Sequence, residues 1–118
     1  MKLVNVDDLA AMINRSLLIV RVKSPFIEWA NSLDDGPQAS LDTYEPTAYL
    51  VDDVEDVADF PRLEKALWRR IFEHQLANWD RDPGNWPRHR NRLVFRQWFD
   101  LDLHPMVLDV GTGTTDPI

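Results

Sequence analysis

Hydrophobic positions along the chain fall into short apolar runs, which predict strands, and longer segments with a helical period. The run at residues 17–22, LLIVRV, is almost continuous and partly β-branched, which is typical of a central strand covered on both faces. Residues 47–51, TAYLV, predict a second strand. Residues 101–110 predict a third, which follows the last helical segment. Together these runs indicate a small sheet.

Two short helices are predicted in the first third of the chain. Residues 5–13 begin with an asparagine that can cap a helix, and acids follow where the helix dipole favours them. Residues 24–33 begin with Ser24 and Pro25, a cap and a first helical residue. Residues 34–46 hold turn residues with little periodicity, so we expect an exposed loop there.

The helix predicted at residues 61–79 has the strongest periodicity, and its apolar residues cover a very wide arc at about 100° per residue. A helix that only covered a sheet would need a narrower stripe, so we expect contacts with both the sheet and another helix. The expected sheet-facing set is Leu63, Leu67 and Ile71, and the helix-facing set is Trp68, Phe72, Leu76 and Trp79. His74 lies at the edge of the sheet-facing arc, where a hydrogen-bonded boundary histidine is expected.

A tight turn at residues 80–86 and a further helix at residues 87–99 complete a predicted helical hairpin. The element order predicts an α/β fold, or an α+β variant, with two layers: a small sheet of three or four strands and helices packed on it. We expect a helical extension at residues 1–13, a single domain at residues 14–110 and a disordered tail at residues 111–118.

The composition fits one soluble acidic domain and excludes several classes of protein. The 118 residues are 44% hydrophobic and 28% charged, and the lack of cysteine excludes disulfides and thiolate metal sites. The longest apolar run is far shorter than the roughly 20 residues of a membrane helix. The amino-terminal residues carry acids where a secretory signal carries basic residues. We therefore expect a cytoplasmic protein without a cofactor.

The net charge of −7 disfavours general nucleic-acid binding, which needs an excess of lysine and arginine. The charges are unevenly distributed. Residues 1–60 hold 12 acidic and 4 basic residues, residues 61–99 hold 4 acidic and 9 basic ones, and residues 100–118 hold 4 acidic ones. Either the basic middle folds against the acidic flanks, or it presents a basic face to an anionic partner.

A stripe of arginines on the last predicted helix is the first candidate site. Its members are Arg88, Arg92 and Arg96, which recur every four residues, and the neighbouring tryptophans are Trp86 and Trp79. Arginine suits carboxylates and phosphates, and a tryptophan beside it can stack on a ring. In the alternative interpretation, the arginines pair within the chain, with the acids at residues 52–59 or with Asp80 and Asp82.

Asp100, Asp102 and His104 form the second candidate site, for a metal ion or for acid/base chemistry. Alternate residues of a strand point to one face, but their side chains are about 6.5 to 7 Å apart, so three do not converge on one ion without a bend. In the alternative interpretation, the acids lie on the solvent side and the histidine is hydrogen-bonded near the following proline. No serine has the context of a catalytic nucleophile.

Several segments resemble one group of proteins when taken in order. They are NRSLLIVRVKSPFIEWANSL at residues 14–33, the strand TAYLV, and the later NWP, FRQWFD and HPMVLD. This pattern is similar to a group of small uncharacterised bacterial proteins, in which an NRS-type strand start, a PF..W helix, an LWP turn and a WFD....H...V.D ending recur. The resemblance covers most of residues 14–109. It implies a shared domain and no particular reaction.

Two functions are consistent with these features. The first is a small non-enzymatic interaction or accessory protein that uses the arginine and tryptophan surface or forms a homodimer, with a protein as partner and no role at a membrane. The second is a small metal-dependent or acid/base enzyme that uses Asp100, Asp102 and His104. The lack of a catalytic constellation favours the first.

Overall fold

The computed structural model describes residues 11–33 and 38–118. Within these ranges the helices and strands are β1 (Ala11–Met12), β2 (Arg15–Val22), α1 (Ser24–Ser32), β3 (Thr47–Asp52), α2 (Phe60–Trp79), α3 (Arg92–Trp98), β4 (Phe99–His104) and β5 (Leu108–Asp109). Two single 3-10 turns, Val57–Asp59 and Pro83–Asn85, precede and follow α2. In the described part of the chain, no helix is long and apolar enough to span a membrane.

The main sheet has three antiparallel strands in the order β3-β2-β4. The prediction that β2 is central is confirmed. The prediction that β2 is covered on both faces is wrong, because only alternate residues are fully buried: Ser16, Leu18 and Val20. On the other face Leu17 and Ile19 are only half-buried. This alternation is the usual pattern of an antiparallel sheet with its core on one side.

All three helices contribute to the core on the inner face of this sheet. Phe26 of α1, Phe72 of α2, Phe95 of α3 and Phe99 of β4 are almost completely buried. The ring of Phe99 lies 5.7 Å from that of Phe26, 5.3 Å from that of Phe72 and 5.2 Å from that of Phe95. The predicted two-layer fold, a small sheet with helices packed on it, is therefore confirmed.

The two predicted faces of α2 are both present. Phe72 packs against α3, with its ring 6.0 Å from that of Phe95 and 5.5 Å from that of Trp98. Leu67 and Ile71 lie on the side of α2 that borders β3. The wide apolar arc thus reflects two packing partners, as the periodicity predicts.

Two predicted elements have different bounds in the structure. The last helix begins at Arg92, and not at Pro87, because the side chain of Asn91 caps it by accepting a hydrogen bond from the Val94 amide at 2.8 Å. The strand predicted at residues 101–110 is interrupted after His104 and continues as β5.

The helix predicted at residues 5–13 is wrong in the part that the structure describes. Residues 5–10 lie outside the described residues. Ala11–Met12 form the strand β1, which pairs antiparallel with β5. From the pair Leu17 and His104 to the pair Met12 and Leu108, the first strand advances five residues and the second only four. The register is therefore offset by one residue between the two ladders.

Candidate binding groove

A groove of about 490 Å³ lies between strand β3 and helix α2. Its volume falls within the usual range of ligand pockets. Residues from β2, β3 and α2 line it: Arg15, Tyr49, Leu50, Val51, Asp52, Leu63, Ala66, Leu67, Arg70, Ile71 and His74. Ile71 and Val51 of the lining are buried, whereas the charged residues Arg15, Asp52 and Arg70 are exposed, so the groove combines a hydrophobic surface with polar anchoring points.

One wall of the groove is an open strand edge. β3 is at the end of the sheet, and within the described ranges it pairs only with β2. In an antiparallel strand, every second residue directs its N–H and C=O away from the existing partner. These backbone groups are therefore available to a further strand beside α2.

A polar network at one end of the groove fixes α2 against β3. The hydroxyl of Tyr49 and Nδ1 of His74 share a hydrogen bond of 2.7 Å. The buried amide of Gln75 donates to the Tyr49 hydroxyl at 2.8 Å and to Oγ1 of Thr47 at 2.9 Å. The expected hydrogen-bonded boundary position of His74 is confirmed. Burial raises the pKa of Tyr49, and the hydrogen bonds with Gln75 and Thr47 act in the opposite direction.

Two arginines at the margins of the groove have little internal compensation. In the part of the chain that the structure describes, neither Arg15 nor Arg70 forms an ion pair. Nη1 of Arg15 donates to the backbone oxygen of Asn14 at 2.9 Å, and among the described residues Asp52 is the only acid that lines the groove. The margin is therefore weakly positive although the whole chain is acidic.

The predicted arginine stripe has a different role, in the contact between α2 and α3. Arg92 and Arg96 both bind Oε1 of Glu64, whose side chain is only 4% exposed, and the Arg96 contact is 2.6 Å. Burial alone would raise the pKa of Glu64, but the hydrogen bonds from Arg96 and Arg92 outweigh it and hold the pKa below its usual range. Internal pairing is thus present, although Glu64 is not among the acids that we expected as partners.

Arg88 does not join this pair, because it precedes α3 and the three arginines do not form one helical stripe. It is exposed and borders a smaller cavity of about 290 Å³. Trp68, Arg69, Phe72 and Arg90 line the rest of that cavity.

The two candidate tryptophans, Trp86 and Trp79, form hydrogen bonds with the backbone of the same chain. The indole N–H of Trp86 donates to the backbone oxygen of Asp80 at 2.7 Å, and Arg90 lies over its ring at 5.7 Å. The indole N–H of Trp79 donates to the backbone oxygen of Ala30 at 3.3 Å. Both rings are half-buried, which leaves them little free surface for stacking on a ligand.

Asp100, Asp102 and His104 share the outer face of β4, as predicted. Nε2 of His104 lies 3.0 Å from Oδ2 of Asp102, so this histidine pairs with the acid and not with a group near the following proline. Asp102 is also 3.6 Å from Arg21, and Asp100 is 3.9 Å from Lys23. Among the described residues, no three His, Asp or Glu side chains are grouped so that they could hold a metal ion.

The groove contains residues that the sequence analysis did not select, above all Arg15, Arg70 and Tyr49. One signal was present: at 100° per residue, Arg70 falls on the same side of α2 as Leu63 and Leu67. An arginine on an apolar stripe indicates that the stripe is not covered along its whole width.

Comparison of the chain with protein-family models, with curated proteins and with solved structures finds no match. The resemblance to a group of small bacterial proteins therefore stays a prediction.

Proposed function

We propose that this chain is a small non-enzymatic interaction protein that binds an extended segment of a partner in the groove between β3 and α2. The observation that supports this proposal best is the position of an open strand edge directly beside a groove lined by both apolar and charged residues. In strand addition, backbone hydrogen bonds provide affinity, and pockets for alternate side chains provide specificity.

The two edges of the sheet differ in a way that favours β3 as the binding edge. Natural edge strands are commonly protected by charged side chains. The outer edge strand β4 carries Asp100 and Asp102 along its exposed face. β3, with the sequence TAYLVD, has its only charge at the last position, Asp52. Its edge is thus less protected against a further strand.

The surface of arginines and tryptophans that we predicted supports the function less directly. Arg92 and Arg96 are committed to Glu64, while Trp79 and Trp86 donate hydrogen bonds to the backbone. Of the three predicted arginines, Arg88 is the one without an ion pair among the described residues, and the small cavity that it borders is a limited area for holding a protein partner.

The test is an NMR titration of the ¹⁵N-labelled chain with a library of amidated hexapeptides varied at every position. We expect shifts in the amides of β3, and a large loss of affinity in Ala66→Trp, which fills the groove from α2. Lys65→Trp is the matched control, because Lys65 is exposed on the same helix but does not line the groove. Unchanged β3 amides, or equal effects of the two variants, would contradict the proposal.

An acid/base enzyme is the second candidate, and the 3.0 Å contact between Asp102 and His104 favours it. A carboxylate bonded to an imidazole can orient it as a general base. We would measure hydrolysis of p-nitrophenyl acetate by the native chain and by His104→Ala. Equal rates in the two proteins would exclude a catalytic role of His104 in this reaction. A thermal-shift series with divalent cations tests the metal-dependent version, since an ion bound by Asp100, Asp102 and His104 would raise the melting temperature.

A further inference from the structure

We infer that the groove between β3 and α2 selects an extended protein segment in which acidic side chains alternate with apolar ones. This inference rests on the proposed function, because it names the class of partner for the same groove. It follows from the geometry of an added strand and from the two arginines at the margin.

An added strand presents two different surfaces. Successive side chains of a strand point to opposite faces of the sheet. One set would lie on the α2 side, over the apolar floor formed by Leu63, Leu67 and Ile71. The other set would lie on the outer face, where Arg15 is placed opposite Asp52 in the β2–β3 register. Apolar residues suit the first environment and charged residues the second.

The available charges favour acids at the solvent-facing positions, because Arg15 lies on the outer face and Arg70 is an exposed residue of α2 beside the apolar floor. Arg15 and Arg70 both line the groove and both are exposed, whereas Asp52 is the only acid that the described part of the chain contributes to it. In the described ranges neither arginine has an acidic partner within 4.0 Å. Arginine binds carboxylates through several parallel donors, so an acidic segment would satisfy groups that the fold leaves uncompensated.

A second copy of this chain is a less suitable occupant. Its strand β4, FDLDLH, does alternate apolar and acidic residues. However, Asp100 and Asp102 already lie 3.9 Å from Lys23 and 3.6 Å from Arg21 of the same chain. Their charges are therefore partly neutralised before any contact with Arg15 and Arg70. A segment of another protein, whose acids have no such partners, gains more from the two arginines.

The experiment compares three amidated hexapeptide libraries with varied apolar residues at alternate positions. The remaining positions hold Asp or Glu in the first library, Ser or Thr in the second and Lys in the third. We expect the acidic library to bind about tenfold more tightly than the neutral one, because two exposed ion pairs each contribute modestly. Affinity is measured from the shifts of the β3 amides in ¹⁵N spectra of the full chain.

The double variant Arg15→Gln/Arg70→Gln should reduce the affinity of the acidic library to that of the neutral one. The matched control is Arg62→Gln/Arg81→Gln, which removes two exposed arginines that do not line the groove. Equal binding of acidic and neutral libraries would overturn the inference and leave the proposed function intact. No shift with any library would overturn both. A concentration-dependent dimer that occupies β3 without peptide would overturn the inference in favour of a second copy.

Discussion

The two sides of helix α2 are packed differently: one is covered by α3 and the other borders an open groove. On one side Phe72 packs against α3, and Glu64 binds Arg92 and Arg96. On the other side α2 and β3 enclose an open groove. Both sides are bordered by arginines, but only the first contains a buried acid. An arginine that meets a buried carboxylate stabilises the fold, and one that does not remains available to bind a partner. The spacing of the arginines in the sequence does not show which of the two applies.

The largest difference between the two sides should appear in the hydrophobic contacts. Phe72→Ala removes a fully buried ring and should lower the free energy of unfolding by about 4 kcal/mol. Leu67→Ala, on the half-buried floor of the groove, should lower it by about 1 kcal/mol. Urea denaturation measures both values. Similar losses would show that the groove is as tightly packed in solution as the contact with α3.

A smaller difference should separate the paired arginines from the exposed one. Arg92→Glu places a second carboxylate beside buried Glu64 and should cost about 3 kcal/mol of stability. Arg88→Glu should change stability by less than about 0.5 kcal/mol, because Arg88 is exposed and, within the described residues, forms no ion pair. Thermal and urea unfolding of the two variants provide the comparison. A loss in Arg88→Glu as large as that in Arg92→Glu would contradict this assignment.

The smallest of these effects is the pH dependence of the Glu64 site. Its pKa is lower in the folded chain than in the unfolded chain, so its contribution is fully present above the unfolded pKa and is lost as the pH falls through the folded pKa. Glu64→Gln should cost about 2 kcal/mol at neutral pH.

This cost should shrink as the pH falls below the usual range of a glutamate. Urea unfolding of the native chain and of Glu64→Gln across a pH series measures the change. A cost that stayed constant down to acid pH would show that the ion pairs with Arg92 and Arg96 contribute nothing.

Local patterns predicted the central strand β2, the order of the elements and the two contact faces of α2. They were less successful in predicting where α3 begins, because both a proline and a capping residue can mark the start of a helix. Pro87 suits the first turn of a helix, but Asn91 supplies a side-chain acceptor to Val94, and α3 begins there. Since the two signals are only four residues apart, the sequence alone did not distinguish them.

The sites were harder to predict, because each depends on residues far apart in the chain. The acid that binds the arginines did leave a signal: Glu64 falls between Ile71 and Trp68 on the helical wheel of α2, inside the apolar arc. A carboxylate in that position needs a buried partner. The groove left almost no signal in the sequence. Arg15 lines it only because β2 pairs with β3, and this pairing is not visible in the local pattern.

The one-residue offset between the two ladders decides which side chains meet beyond the main sheet. Without it, the pairing of β2 and β4 would continue in phase and Leu108 would lie opposite Ile13. The extra residue moves Leu108 opposite Met12. Their exposed fractions are 47% and 71%, so the offset creates an adjacent pair of solvent-facing apolar side chains. The character of this surface is therefore set by the register of the two ladders as well as by the residue types.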